Sequence, residues 1–310
     1  MKLNKSYLLP ALLLMSLVLT SCDENEQFRG ELYKKVIYLL STDDYTFETE
    51  HALGETTTGY VTVYVSGTEH ITKDVTVTLE RDPDALFDYN YMYYDIDETR
   101  YAHELDPAKY TIASYQTVLR ANAEDNYSML PIQIKPDGLS PDSIYFIPLR
   151  IKSVSDYEVN AKKQRVLYRV LLKNQYATMA TTTYYQVTGT ETREMGEESA
   201  ASGISVTRIF APLSKNQVRC FAGTHTYNPS NVSKSEIDTY AMTLTINDDK
   251  SITITPYADL EVEMVGGSKD NFCSTNKRGM TVFNLRYRFK DNSSGSPVWI
   301  EMVESCVQRR

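Results

Sequence analysis

Residues 89–101 carry the densest set of side chains suited to binding a polar ligand. Tyrosines flank a cluster of carboxylates there, and the candidate residues are Tyr89, Tyr91, Tyr93, Tyr94, Asp95, Asp97 and Tyr101. If residues 89–93 are extended, the tyrosines at 89, 91 and 93 lie on one face. A row of rings can stack on the apolar faces of sugar rings, while neighbouring carboxylates hydrogen-bond to hydroxyls. The pattern predicts a glycan-binding site; packing of the same tyrosines on a sheet or against a second domain is the alternative.

The acids of this segment raise two further chemistries. The run from Asp95 to Glu98 superficially resembles the acidic strand of chitinase-related endoglycosidases. Glycosidases generally need two carboxyl groups held at a defined separation. In the chitinase-related enzymes a β/α barrel of roughly 250 residues holds them. The chain lacks both the βα alternation and the apolar run before the acids, so we do not expect an enzyme. A calcium site using Asp95, Asp97 and Glu98 stays open, although the EF-hand spacing and its turn glycine are absent.

Histidines and cysteines indicate no other reactive centre. None of the four histidines (His51, His70, His103 and His225) lies in a recognised nucleophile motif. Cys220, Cys273 and Cys306 lack zinc-ligand spacing, and we predict no cofactor and no metal. These three cysteines permit either one disulfide or buried free thiols.

Composition narrows the class of partner. The net charge is −9, and because Lys2 and Lys5 contribute +2, the part after residue 21 carries −11. Nucleic-acid binding depends on Lys and Arg neutralising phosphates, so the balance argues against that partner and against anionic lipid. The 24 Tyr against 9 Phe and 1 Trp suit half-buried strands and surfaces for polar ligands. We expect the single Trp299 to pack in the core or at a domain interface, and count Tyr184, Tyr185 and Tyr227 as further ring candidates.

Residues 1–21 have the anatomy of an export signal. Lys2 and Lys5 precede an apolar run at residues 7–19, which is shorter than a membrane span. The segment ending at Cys22 resembles a bacterial lipobox. That resemblance implies a mature chain whose first residue, Cys22, carries lipid and holds the protein to a membrane.

Acidic residues follow the cysteine directly. Asp23, Glu24 and Glu26 lie in a tether over residues 22–30. They resemble the surface-export signal of lipoproteins from gut anaerobes that feed on glycans. The resemblance implies an outer-membrane protein facing the cell exterior; an inner, periplasm-facing location is the alternative.

From about residue 30, alternation of period two predicts strands. Val75, Val77 and Leu79, for example, alternate with polar residues. One-sided alternation predicts an all-β chain with an N-terminal immunoglobulin-like antiparallel sandwich over residues 31–177. Residues 178–183 form the boundary, and hairpins over residues 178–310 predict an antiparallel meander, either barrel or sandwich. The only helical signal is a short turn at residues 82–87.

The order of several segments resembles a known family. Residues 73–90, 105–110, 130–134 and 145–151 are similar to the uncharacterised N-terminal domain of lipoproteins in Sus-like glycan-utilisation systems, also found ahead of endoglycosidases. Residues 211–219 and 299–301 are similar to the uncharacterised β domain that usually follows it. The resemblance transfers no catalytic residue. It implies a surface lipoprotein that captures glycan beside a SusC/SusD-type importer, or an assembly component without sugar contact.

Overall fold

The computed structural model describes residues 33–195, 198–228, 232–293 and 295–309. Strands account for 51% and helices for 9%, which confirms the all-β prediction. The predicted signal peptide, the lipidation at Cys22 and the acidic residues Asp23, Glu24 and Glu26 lie outside the described residues.

Eleven strands form the N-terminal half: β1 (Val36–Leu39), β2 (Thr46–Ala52), β3 (Thr57–Val65), β4 (Val75–Arg81), β5 (His103–Glu104), β6 (Tyr110–Thr111), β7 (Gln116–Leu119), β8 (Tyr127–Ile134), β9 (Tyr145–Val154), β10 (Glu158–Val159) and β11 (Arg165–Lys173). One sheet has the order β10-β1-β3-β8-β6, and the other has β2-β11-β9-β4-β7 with β5 beside β9. Pairing is mostly antiparallel, with parallel pairs at β1–β10, β2–β11 and β5–β9.

Apolar side chains from both sheets form one core. Val75, Val77 and Leu79 of β4 are buried, as their alternation predicts. Rows from β3 and β8 of the opposite sheet face them, and rows from β9 and β11 lie beside them in the same sheet. These rows include Val61, Val63, Leu130, Ile132, Ile147, Leu149, Val166 and Val170. Burial of these rows is the main free-energy gain of the sandwich.

A helix, α1 (Pro83–Tyr94), covers the outer face of the second sheet. The predictions of a mere turn at residues 82–87 and of an extended segment at 89–93 are therefore wrong. Pro83 stands in the first turn, where its fixed φ suits a helix, and Ala85 packs beneath it on Phe146 and Leu167. Asp95, with φ 50°, ends the helix. Tertiary packing thus outweighs the β propensity of the tyrosines.

The C-terminal half contains α2 (Lys234–Tyr240) and nine strands: β12 (Thr183–Met195), β13 (Glu198–Ser214), β14 (Gln217–Phe221), β15 (Ala241–Ile246), β16 (Ile252–Pro256), β17 (Val262–Met264), β18 (Phe272–Thr275), β19 (Thr281–Asp291) and β20 (Val298–Gln308). Their order is β16-β15-β14-β13-β12-β20-β19-β17, with β18 beside β19. Backbone bonds from Ile252 N to Asn271 O (3.0 Å) and from Cys273 N to Lys250 O (2.8 Å) nearly close the sheet. The predicted meander is therefore barrel-like.

The change from sandwich to barrel occurs between β11 and β12. β11 pairs with β2 and β9, whereas β12 pairs with β13 and β20. The predicted boundary at residue 178 falls in the connection between these two strands.

The barrel interior contains a buried ion pair among aromatic rings. Tyr185 stacks on Phe210 with ring centroids 4.1 Å apart. Beside them the Arg208 guanidinium, 2% exposed, forms a bidentate pair with the Glu304 carboxylate and donates to Gly223 O at 2.5 Å. Such a pair is stable only because its hydrogen bonds offset the desolvation of both charges.

Cysteine and tryptophan positions resolve two open points. Cys220, Cys273 and Cys306 are buried free thiols. Trp299 is half-buried on the outer face of β20, with the Arg288 guanidinium 4.8 Å from its ring centroid. The prediction of core or interface packing is wrong because the neighbouring Ile300 occupies the inward register. None of the helices described is long and apolar enough to span a bilayer.

Acidification is expected to destabilise the sandwich through His51. This side chain is fully buried, with Nδ1 2.7 Å from Thr57 Oγ1 and Nε2 3.0 Å from the Tyr168 hydroxyl. Burial, and then the charge of Lys173, lower the pKa of His51 from 6.5 to about 4. Between these values the unfolded chain binds a proton that the folded chain excludes, so stability falls with falling pH by up to about 3 kcal/mol.

Urea unfolding followed by circular dichroism at about pH 7 and about pH 5 measures this effect. We expect His51→Gln to reduce the pH dependence, whereas His70→Gln, at an exposed position, should leave it unchanged. Equal pH dependence in wild type and His51→Gln would contradict the assignment.

Removal of one charge from the barrel interior should be costly. Glu304→Gln leaves Arg208 charged and buried, and we expect a loss of about 3–5 kcal/mol. The fluorescence of the single Trp299 reports unfolding of the barrel in urea. The control is Glu261→Gln. Glu261 pairs with Lys290 at the surface, where the two side chains are 55% and 29% exposed, and this pair should contribute less than about 1 kcal/mol. A Glu304→Gln variant as stable as the control would refute the prediction.

Candidate functional site between the domains

A cleft of about 980 Å³ lies between the sandwich and the barrel. The sandwich contributes residues 99–101 and 140–144, and the barrel contributes residues 209–212 and 232–234. The connection at residues 178–183 forms part of the wall. Ligand sites commonly occur in such concave surfaces at domain interfaces.

Half-buried tyrosines line the cleft from both sides. Tyr94 and Tyr101 belong to the sandwich domain, and Tyr227 and Tyr257 belong to the barrel domain. Serine and threonine hydroxyls stand among them, including Ser140, Ser143, Thr181 and Ser233. Rings interspersed with hydrogen-bonding groups suit a ligand that has apolar faces and polar edges.

One ion pair joins the two walls. Arg219 of β14 donates two hydrogen bonds to the carboxylate of Asp142 in the sandwich domain, one of them from Nη2 to Oδ1 at 2.5 Å. The guanidinium carbon lies 4.9 Å from the Tyr257 ring centroid and 5.7 Å from that of Tyr227. Burial acts to lower the pKa of Arg219, but Asp142 outweighs it and raises this pKa above its ordinary value. Arg219 therefore stays charged at the interface in the folded protein.

Further hydrogen bonds reinforce this contact. The Asn174 amide nitrogen, just after β11, donates to Ser214 O at 2.7 Å and to Gln217 O at 2.9 Å. Thr178 donates to the Glu50 carboxylate. The sandwich thus contacts the β13–β14 turn and the connecting segment, which positions the cleft walls.

Helix α1 removes Tyr91 from the predicted tyrosine row, whereas the rings of Tyr89 and Tyr93 stay in contact with centroids 4.6 Å apart. Tyr89 packs edge-on against Phe146, with ring centroids 4.9 Å apart, and burial raises its pKa. Tyr93 donates to Asp44 at 2.9 Å, and this bond raises the pKa of Tyr93. Tyr91 is 61% exposed and stacks on Phe87. Packing on the sheet, the alternative interpretation, therefore describes Tyr89, and residues 89, 91 and 93 do not form one platform.

Some of the remaining predicted residues line the cleft and others do not. Tyr94 and Tyr101 line the cleft, and the Tyr101 hydroxyl donates to Asp95 O at 2.5 Å. Asp95 and Asp97 are exposed, and the Asp97 carboxylate accepts from Thr99 at 2.5 Å. Within the described ranges, no group of three or more His, Cys, Asp or Glu is placed to hold a metal ion, including Asp95, Asp97 and Glu98. A glycan contact at these residues stays a prediction.

Several cleft residues carry no local sequence signal. Tyr227 is among the ring candidates, but Tyr257, Arg100 and His103 of the lining are not. Neither is Arg219, which is buried beside the lining residue Asp142. Arg219 alternates in a strand and Tyr257 follows one, so only the pairing of two domains brings them to a site. Tyr184, 43% exposed, and Tyr185, fully buried, lie outside the cleft lining.

Loss of the Asp142–Arg219 pair should loosen the two domains. In Asp142→Asn the Arg219 charge stays buried without a carboxylate. We expect a loss of about 2–3 kcal/mol, less than for a fully enclosed pair because the Asp142 side chain is 24% exposed. Faster proteolysis within residues 178–183 measures the loosening. Asp125→Asn is the matched control because Asp125 is exposed and outside the interface. Equal cleavage of both variants would exclude a coupling role for the pair.

Solved structures with the same architecture come from Bacteroides. A protein of unknown function from Bacteroides ovatus is 14% identical, with a TM-score of 0.66 over 88% of this chain and 95% of its own. A second Bacteroides ovatus structure, a multidomain protein including DUF1735, is 14% identical, with a TM-score of 0.64 over 88% and 94%. An auxiliary nutrient binding protein from Bacteroides thetaiotaomicron is 15% identical, with a TM-score of 0.58 over 87% and 94%. These likenesses establish a common fold.

Family models cover most of the chain in two consecutive parts. A model for a "-like, N-terminal domain" matches residues 33–158, and a model for a "-like, C-terminal" domain matches residues 164–306. No curated protein matches the chain. The second match begins at residue 164 and so includes β11, a strand that pairs within the sandwich. The chain therefore belongs to the two-domain family whose N-terminal and C-terminal domains these models describe, as the sequence resemblance predicted.

Proposed function

We propose that the protein is a non-catalytic glycan-binding protein whose ligand occupies the cleft between the sandwich and the barrel. The observation that carries this proposal is the set of tyrosines contributed by both domains, Tyr94, Tyr101, Tyr227 and Tyr257, around a volume of about 980 Å³. Such a volume accommodates an oligosaccharide segment or a chain end.

The chemistry of the walls matches a carbohydrate ligand. Tyrosine rings stack on the apolar faces of sugar rings, and their hydroxyls exchange hydrogen bonds with sugar hydroxyls. Ser140, Ser143 and Thr181 add hydroxyl groups at the same surface. The interface bonds of Asn174 and Arg219 hold both walls in place before binding, which reduces the entropy lost when ligand binds.

The pairing of cleft acids supports a binding role over glycoside hydrolysis. Hydrolysis generally needs two carboxyl groups available to the sugar. Asp142 is engaged by Arg219 and Asp238 by Lys234. These partners hold the two lining carboxylates as structural acceptors.

We further propose that Cys22 carries lipid and tethers the protein to the outer membrane, with the domains facing the cell exterior. The basis is the signal anatomy of residues 1–21 and the acidic residues Asp23, Glu24 and Glu26. A surface-held binder would pass captured glycan to a SusC/SusD-type importer. The fold shared with an auxiliary nutrient binding protein supports this general role.

A second candidate function is protein–protein assembly without sugar contact. Four apolar side chains of α1 and its C-terminal turn are strongly exposed: Phe87 (66%), Tyr91 (61%), Met92 (61%) and Ile96 (86%). Phe87 and Tyr91 stack on each other, and exposed apolar surface of this kind often contacts another protein. It lies on the same helix as Tyr94 but outside the cleft lining.

Paired variants separate the two functions. In affinity electrophoresis of the purified full chain against host and plant glycans, we expect wild type to be retarded by at least one glycan. Tyr94→Ala and Tyr227→Ala should each weaken retardation about tenfold, because each removes a stacking ring. The control is Tyr91→Ala, which removes an equally large ring from the same helix outside the cleft and should bind as wild type.

Each outcome of this experiment distinguishes glycan binding in the cleft from the other possibilities. Retardation that is lost in Tyr91→Ala but kept in Tyr94→Ala would move the binding site to the exposed helix surface. An absence of retardation by every glycan, combined with loss of a membrane co-purification partner in Tyr91→Ala, would favour assembly and overturn glycan binding. Circular dichroism confirms that each variant is folded.

A further inference from the structure

We propose that the glycan bound in the cleft carries an anionic group, a carboxylate or a sulfate, and that Arg100 binds it. This inference rests on the proposed glycan-binding function and specifies the ligand class. It follows from which charges in the cleft are already paired.

All but one of the strongly charged side chains in the lining have a partner. Arg169 donates to Glu48 at 2.5 Å, and Lys234 is paired with Asp238. Asp142 is held by Arg219. These pairs cancel, which leaves Arg100 as the uncompensated charge of the lining within the described part of the chain.

Arg100 is oriented without being neutralised. It ends a short 3₁₀ turn, Glu98–Arg100, and its guanidinium carbon lies 5.1 Å from the ring centroid of Tyr94. A ring face holds a guanidinium in place while leaving its N–H donors available. Tyr101, the next residue, is anchored by its bond to Asp95 O. The loop therefore presents a positioned cation at the cleft.

Neighbouring acids do not cancel this charge by contact. Asp95, Asp97 and Glu98 belong to the same loop, but none lines the cleft and none forms an ion pair with Arg100 among the described residues. The Asp97 carboxylate is bonded to Thr99. His103, exposed in the same lining, adds a ring nitrogen donor close to this loop.

The chemistry of guanidinium points to the ligand. Its fork of N–H donors matches the two oxygens of a carboxylate or a sulfate, and charge-assisted hydrogen bonds are about twice as strong as neutral ones. The protein as a whole has a net charge of −9, so its long-range field repels anions. Binding of an anionic glycan in the cleft therefore depends on the local positive charge of Arg100, whereas binding of a neutral glycan does not.

Matched polysaccharides test the inference. Polygalacturonate is compared with its fully methyl-esterified form, which keeps the sugar chain and removes the charge, and carrageenan supplies sulfate without carboxylate. We expect the purified full chain to bind polygalacturonate or carrageenan, and to bind the esterified chain at least about tenfold more weakly. Binding should weaken with rising salt.

Variants assign the effect to Arg100. Arg100→Gln should lose about tenfold in affinity for the anionic glycan, and Arg100→Lys should lose less because it keeps the charge. Lys162→Gln removes one exposed positive charge outside the cleft and should bind as wild type.

The failures are distinguishable. Retention of neutral glycans only, or equal binding by Arg100→Gln and wild type, would overturn the inference and leave glycan binding intact. Failure to bind any anionic or neutral glycan would overturn the proposed function itself.

Discussion

The carboxylate of Asp142 reaches from the sandwich domain to the buried guanidinium of Arg219 in the barrel, and the cleft depends on this contact. Arg219 also lies against Tyr227 and Tyr257, so the same ion pair that couples the domains orders two rings of the barrel wall. Because Asn174 fixes the β13–β14 turn close by, the domains meet at a defined geometry. The cleft is thus a product of the interface and belongs to neither domain alone.

A buried ion pair is a weak source of stability, since desolvation offsets most of its attraction. We infer that Arg208–Glu304 inside the barrel and Arg219–Asp142 at the interface contribute specificity more than stability. Both are bidentate, and both have aromatic neighbours. An incorrect docking of the domains would leave Arg219 charged and unpaired, at a much higher cost than a lost apolar contact. We infer that this penalty selects one relative orientation.

Alternation within single strands made much of the fold predictable. The apolar face formed by Val75, Val77 and Leu79 must pack against a second sheet. The successive hairpins of the C-terminal half place consecutive strands side by side in a meander. Residues 83–94 were not predictable in this way, because their tyrosines favour strands and their helix is stabilised by Phe146 and Leu167 from distant strands. Arg219 and Tyr257 were unpredictable for the same reason: their role arises from a neighbour in another domain.

The change of residues 89–93 from strand to helix alters what the tyrosines can do. A strand would expose three rings to one ligand, whereas the helix directs Tyr89 onto the sheet and leaves Tyr91 in solvent. Only Tyr94, at the end of the helix, lines the cleft, where it orients Arg100. One segment therefore supplies a packing contact, an exposed apolar surface and one wall of the cleft. Because these surfaces are separate, a substitution can alter one of them while the sandwich core, which lies on the other side of the sheet, keeps its packing.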